Sequence, residues 1–420
     1  MRAEILTIGD ELCRGEIVNT NASTLAQRLW DLDVTTRWMT SCCDDADDIT
    51  SALRQAVGRA DVVICSGGLG PTEDDLTVDV VSALAGVAPL VDPTARERMT
   101  AFFTRRPGGA HDAELAAIQL RQVRVPSGSR VLGNPAGLAP CFEQAISGVP
   151  VFCLPGFPRE ITGIWDHALR ARLAELREAA GKVERIARQI YRTFGRGESQ
   201  ISQLCRGIVD EVPGATIHYQ VKFPETLVKL VVRDLDQAAA EARLAEMDVM
   251  VRARLAGVLY AVGDDNLVAV VTRALIAAKR TVATAESCTG GLIGELLTSV
   301  PGSSAEFVGG AITYSNQEKI RQLGVSPTTL DTHGAVSEAT VREMASGARE
   351  RFATDLAVAV SGIAGPDGGT PEKPVGTVWL AIATRARVAT KKLAWPGTRD
   401  QIRQISAWWA LKLILEEVTS

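Results

Sequence analysis

Apolar and polar positions alternate between two rhythms along this chain. Short runs of continuous or alternating apolar residues stop at glycine-rich turns. Each is followed by a stretch in which apolar residues return every three or four positions. The first rhythm predicts buried strands and the second amphipathic helices. Strands are expected at 3–8, 61–65 and 151–154, with helices at 22–32, 47–57 and 78–84. An Arg-, Glu-, Ala- and Leu-rich helix at 168–180 reads as a connector. The middle reads strand 186–194, helix 200–209, strands 216–221 and 227–232, helix 235–255. Beyond it lie helix 266–279, strand 281–285, helix 292–300, strand 307–313, a helix reaching 320–323, strands 355–360 and 375–384, and a final helix after Asp400.

The pattern predicts a multi-domain α/β protein. A doubly wound domain spans 1–170, a small α+β domain 171–258, and a second α/β domain 259–420. In such sheets ligands gather beyond the carboxyl ends of the strands.

Composition narrows the class. A chain of 420 residues with 46% hydrophobic and 23% charged residues fits two or three globular domains. No apolar run reaches the length of a membrane span. The start, Met1 to Glu4, runs straight into a strand pattern, so no secretory signal is expected. Eight scattered cysteines without C-x-x-C spacing point to reduced thiols in a cytoplasm and no structural zinc. A net charge of −5 argues against a general nucleic-acid binder. Of the four histidines, only His333 lies in the last third, so a hydrolase there is expected to use lysine as its base.

The candidate chemistry lies at strand ends. The stretch 281–300 joins a strand to a helix through Glu286-Ser287-Cys288-Thr289-Gly290-Gly291. Such a junction aims free helix N–H groups at a ligand, and glycines permit close approach. Ser287 and Cys288 are rival nucleophiles; equally, Ser287 or Thr289 can be a plain helix cap. In the first domain the bare N–H groups of Gly67, Gly68 and Gly70 suit phosphate, and Asp10, Glu73, Asp74 and Asp75 are oxygen donors for a divalent cation. The alternative is an ordinary turn whose acids cap the next helix.

Several of these stretches resemble a known family. G-D-E-L, G-E-I-V-N-T-N, S-G-G-L-G-P-T-E-D-D-L-T and L-P-G-F-P-R-E resemble the N-terminal domain of CinA (competence/damage-inducible) proteins, which is similar to the molybdopterin-binding MoaB/MogA fold. The resemblance implies a metal-dependent ADP-ribose pyrophosphatase. Its nucleotide site would include Asp10, Asn19, Asn21, Gly67, Gly68, Asp75, Asn134, Gly137, Pro155 and Gly156, with a divalent cation on Asp10, Asp74 and Asp75. One loop departs from the family: Leu138 stands in place of a hydroxyl and Cys141 in place of a glycine. Both changes remove polarity or room beside a ligand loop.

R-T-F-G-R-G-E-S and F-P-E resemble the KH-like domain of full-length CinA proteins. A nucleic-acid-binding KH module needs a Gly-x-x-Gly loop between helices. None is present, so a spacer or dimer-forming role is expected and direct nucleic-acid binding is not.

A-E-S-C-T-G-G, Y-S-N-Q-E-K, G-A-V-S-E, S-G-I-A-G-P-D-G-G and G-T-R-D are similar, in order, to the CinA C-terminal domain. The resemblance implies hydrolysis of the carboxamide of nicotinamide mononucleotide (NMN), releasing ammonia, with no cofactor required. Ser287 would attack, with Lys319 as base once its pKa is depressed and Tyr314 as relay or orienting group. The backbone near Ser287 and the Gly290-Gly291 helix start would hold the oxyanion. Arg399 would pair with the 5′-phosphate. Glu286, Thr289, Ser361 and Gly362 would line the substrate site. Each residue also has a plain reading: Lys319 as a solvated helix lysine, Tyr314 as packing, Arg399 as a surface ion pair. Trp408 and Trp409 read as core or subunit interface. A homodimer is the family-based expectation. The alternative from a different class is a competence or DNA-repair scaffold with vestigial sites.

Overall fold

The computed structural model describes residues 1–104, 118–181 and 183–420; His111 lies outside them. The chain divides into two compact units. One comprises Met1–Ile186 with Asp234–Asp236, and the other Ala187–Arg233 with Gln237–Ser420. Among the described residues no helix is long and apolar enough to cross a membrane.

The first unit is built on a six-stranded sheet in the order Thr35–Cys42, Arg2–Ile8, Val62–Ser66, Val149–Leu154, Phe142–Ile146, Arg130–Val131. The first four strands are parallel and the last two antiparallel. Helices Ala46–Arg59 and Thr77–Ala85 cover one face, and Thr20–Trp30 and Pro158–Ile164 the other. The latter continues through a π-turn, Trp165–Leu169, into Arg170–Ala179. This is the doubly wound arrangement expected from the alternation.

The second unit holds two sheets, save for the strand-end residues Arg185, Ile186 and Asp234. The smaller has the order Ala215–Lys222, Glu225–Asp234, Arg185–Thr193, Leu259–Val262. Helices Glu198–Leu204 and Gln237–Leu255 supply its core with Ile201, Met247, Val251 and Leu255. The Trp408-Trp409 pair is half-buried and packs against the core of this unit. The ring of Phe194 lies 5.3 Å from Trp408 and 5.1 Å from Trp409, and Tyr260 lies 6.1 Å from Trp408.

The larger sheet runs Phe307–Ile312, Val282–Glu286, Leu356–Gly362, Thr377–Ala383, Val388–Ala394. Its first three strands are parallel, and the last two form an antiparallel meander. Strand parity sorts side chains by size. Val282, Leu356, Val358, Val360, Leu380 and Ile382 face helices Leu267–Ala278, Leu292–Thr298 and Arg399–Thr419. Ala283, Ala285, Ala357, Ala359, Ala381 and Ala383 face the other side. Alanines let helix Glu338–Arg351 approach closely through Ala345 and Ala348. Each large residue withdrawn from water on the first face contributes ~1.5–3 kcal/mol. The same parity carries past the strand end: Glu286 and Cys288 fall on the side of the large residues, and Ser287 on the alanine side.

Candidate active site

Ser287 sits directly beyond the carboxyl end of the Val282–Glu286 strand, with its N–H on the Val360 carbonyl at 3.0 Å. Its neighbour strand, Phe307–Ile312, leads through Thr313 and Tyr314 into helix Asn316–Leu323, which Ser315 caps by accepting from the Glu318 N–H. That short crossover carries Lys319 under the sheet edge. Lys319 is 1% exposed. Its Nζ donates to Ser287 Oγ at 3.1 Å and to the Thr313 carbonyl at 2.8 Å. Loss of water around the ammonium pulls its pKa below 10.5. Lys319 is therefore not a solvated helix lysine.

Cys288 points the other way, into the apolar cluster with Ile293 and Leu297. Burial pushes its thiol up to about 12, so it stays protonated and a poor nucleophile at neutral pH. Glu286 is 1% exposed, and its carboxylate accepts from the N–H groups of Gly291 (3.0 Å), Ile293 (3.1 Å) and Gly294 (2.9 Å). The helix start is thus capped by the protein's own carboxylate, which corrects the expectation that it serves an oxyanion. Glu286 braces the turn from within. Among the described residues, the N–H groups of Cys288 and Thr289 donate to no backbone acceptor. The Thr289 and Thr313 hydroxyls are buried and unpartnered.

Arg399 and Tyr314 meet at the rim. Arg399 Nη2 donates to Tyr314 Oη at 2.8 Å, and Nη1 to the Gly365 carbonyl at 2.7 Å. Tyr314 is 60% exposed, so it is not core packing, and its hydroxyl engages Arg399. Ser361 and Gly362 end a strand and form no loop: Ser361 donates to the Ala335 carbonyl at 2.7 Å, and a Cβ on Gly362 would stand 2.6 Å from Val378 Cγ2. Close packing, not ligand approach, requires that glycine. His333 closes the short helix Pro327–His333. Arg403 shares a helix face with Arg399, as the spacing predicts, but the spacing does not give its partner. Arg403, one turn beyond Arg399, donates from Nη2 (2.9 Å) and Nε (3.3 Å) to the Thr289 carbonyl.

In the first unit a cleft of about 230 Å³ is lined by Gly67, Gly68, Asp74, Asp75, Pro155 and Gly156, with Glu11 and Asp44. Asn21 reaches the Gly156 carbonyl at 2.6 Å, while Asn19 caps its helix through Ala22 and bonds Thr7. Gly67 is needed by the fold: at φ +115° its Cβ would stand 2.1 Å from the Ile8 carbonyl oxygen. Asn134 is buried and bonds the Ala139 carbonyl and Glu160, and the Gly137 carbonyl accepts from Arg98. Both brace their loop.

The cation set expected there does not assemble. Asp75 is taken by the Gly70 and Thr72 N–H groups and the Thr72 hydroxyl. Asp10 pairs with Arg14 and the Asp44 N–H. Among the described residues no three carboxylate, imidazole or thiol groups converge on one point. Asp44 is raised above the usual carboxylate range, by burial first and then by Asp10, Glu11 and Asp74. The loop departures also read differently in place. Leu138 packs with Ala95, Met99 and Val123, and Cys141 is in the core. Neither lines the cleft among the described residues.

Three family profiles match successive stretches of the chain. The profile described as "CinA C-terminal domain" matches residues 264–418, "Probable molybdopterin binding domain" matches 4–175, and "Damage-inducible protein CinA KH domain" matches 188–261. A "Putative competence-damage inducible protein" of Symbiobacterium thermophilum is 39% identical over 99% of this chain and 98% of its own length. A "CinA-like protein" of Anaeromyxobacter dehalogenans is 39% identical over 99% of both. The crystal structure of a competence/damage-inducible protein from Agrobacterium tumefaciens is 41% identical, covering 37% of this chain and 98% of that one, with a TM-score of 0.36. With relatives matched from end to end, this chain belongs to the CinA-like, competence-damage inducible family.

Proposed function

We propose that the second unit hydrolyses the carboxamide of nicotinamide mononucleotide to nicotinate mononucleotide and ammonia. The observation that carries this reading is the buried Lys319 Nζ at 3.1 Å from Ser287 Oγ. Lys319 in its neutral form accepts the Ser287 proton as Oγ attacks the carboxamide carbon. The carbonyl oxygen gains charge and is met by the Cys288 and Thr289 N–H groups. The C–N bond then breaks as Lys319 passes the proton to the leaving nitrogen, which departs as ammonia. Water, giving its proton to the same amine, attacks the ester left on Ser287; the C–Oγ bond breaks, Lys319 reprotonates Oγ and the acid leaves. Arg399 keeps donors to spare after serving Gly365 and Tyr314, which suits it to the substrate phosphate. The test is ammonia release from NMN: Ser287→Ala abolishes it and Cys288→Ala does not. Loss of activity in Cys288→Ala alone would refute the nucleophile assignment.

For the first unit we infer nucleotide binding alone. The Gly-rich cleft suits a nucleotide such as ADP-ribose, because the Gly68 and Leu69 N–H groups donate to no protein acceptor among the described residues. As placed, Asp10, Asp74 and Asp75 do not fit a divalent cation. Calorimetry with ADP-ribose, with and without magnesium, tests this. Absence of binding in both arms removes the reading.

A further inference from the structure

The turn that carries Ser287 is gripped from two sides by side chains that do not touch its hydroxyl. From within, the Glu286 carboxylate holds the N–H groups of Gly291, Ile293 and Gly294. From outside, Arg403 holds the Thr289 carbonyl from a helix 114 residues further along the chain. The Gly290 N–H donates to the Ser287 carbonyl at 3.1 Å. The Thr289–Gly290 peptide plane is therefore pinned at both ends, its carbonyl by Arg403 and its N–H by Ser287. A peptide is planar, so fixing both ends fixes its tilt. Gly290 sits at φ +61°, a conformation that tolerates rotation in a glycine. The Leu292 N–H also reaches the Thr289 carbonyl, at 3.3 Å, but Leu292 belongs to the same turn and would move with it. Among the described residues Arg403 is the one anchor on that carbonyl from elsewhere in the fold.

We propose that Arg403 is a positioning residue for the Ser287 reaction. By fixing the Thr289–Gly290 peptide it holds the adjoining Cys288 and Thr289 N–H groups in place for the developing oxyanion. The inference rests on Ser287 being the nucleophile and does not depend on which amide is the substrate. Oxyanion donors act only as charge develops, so loosening them lowers kcat and leaves KM unchanged. A direct contact between Arg403 and an anionic substrate group would instead raise KM.

The experiment uses the full chain with Arg403→Ala and Arg403→Lys and two readouts. One is NMN turnover, resolved into kcat and KM. The other is the rate at which a fluorophosphonate labels Ser287; there the Oγ–P bond forms, fluoride leaves and the proton passes to Lys319. The expected result for Arg403→Ala is a fall of roughly tenfold to a hundredfold in both kcat and labelling rate, with KM and the pH midpoint of labelling unchanged. Arg403→Lys retains one donor and recovers part of both; if Arg403→Ala melts early, Arg403→Lys decides. A raised KM with unchanged labelling, or no change in either readout, overturns the proposal. Labelled protein that leaves NMN intact refutes the substrate reading alone. Wild-type protein that never labels refutes the nucleophile, and the proposal falls with it.

Discussion

Glu306 offers a quantitative test of how this fold handles a buried charge. It precedes the Phe307–Ile312 strand, at the end of the sheet away from Ser287. It is 1% exposed, and neither carboxylate oxygen has a hydrogen-bond partner. The Thr272 hydroxyl is a neighbour that partly offsets the shift, yet its geometry falls short of a formed bond. Burial raises the carboxyl above its ordinary 4.5. Proton counts set the sign. Between 4.5 and the raised folded value, the folded state holds one more proton than the unfolded state. Stability is therefore full below 4.5, falls by at most about 1.4 kcal/mol per pH unit through that window, and levels off above the folded pKa. Glu306→Gln keeps the shape and removes the titration. Wild type and variant should be equally stable at pH 4, and the variant should gain as pH rises. For a unit of this size the gain in Tm is at most roughly 3–6 °C per pH unit within the window. Thermal melts of the second unit at stepped pH, read as variant minus wild type, measure it. Parallel curves across pH 4–8 would refute the reasoning.

Three further outcomes are expected. Cys288→Ala keeps amidase activity and loses about 1 kcal/mol of stability from the small cavity, and the wild-type thiol resists iodoacetamide at pH 7 because burial holds it protonated; rapid alkylation without unfolding would contradict this. Gly67→Ala destabilises the first unit by about 2–4 kcal/mol, since its Cβ meets the Ile8 carbonyl at a positive φ; an unchanged urea midpoint would count against it. Tyr314→Phe frees Arg399 of one anchor and raises KM with kcat kept, whereas a fall in kcat alone would return Tyr314 to the proton path.

Much of this was legible in the chain because buried strands write continuous apolar runs and their ends write glycine. The Val62–Ser66 and Val282–Glu286 strands, and the turns after them, follow from that alone. Edge strands are harder. Thr35–Cys42 reads T-T-R-W-M-T-S-C, half exposed and mostly polar, and Val388–Ala394 carries two lysines, so neither announces itself. Helix Glu338–Arg351 buries alanines and a methionine against alanines, which gives weak contrast. The role of Glu286 was available from strand parity: two residues after Thr284 it had to fall on the face where the next helix begins. Arg403 could not be read the same way, because its partner is a backbone carbonyl 114 residues away. The acidic run Glu73-Asp74-Asp75 suggested a cation, but Asp75 closes its own loop on Gly70 and Thr72.

The central claim is that a desolvated amine at 319 activates the hydroxyl at 287. Its most direct test is the pH dependence of kcat/KM for ammonia release from NMN. Only the neutral amine is a base, so the rate should climb with pH and reach its half-maximum clearly below 10.5, and Lys319→Met should abolish it. A midpoint at 10.5, or turnover that survives Lys319→Met, would contradict the account.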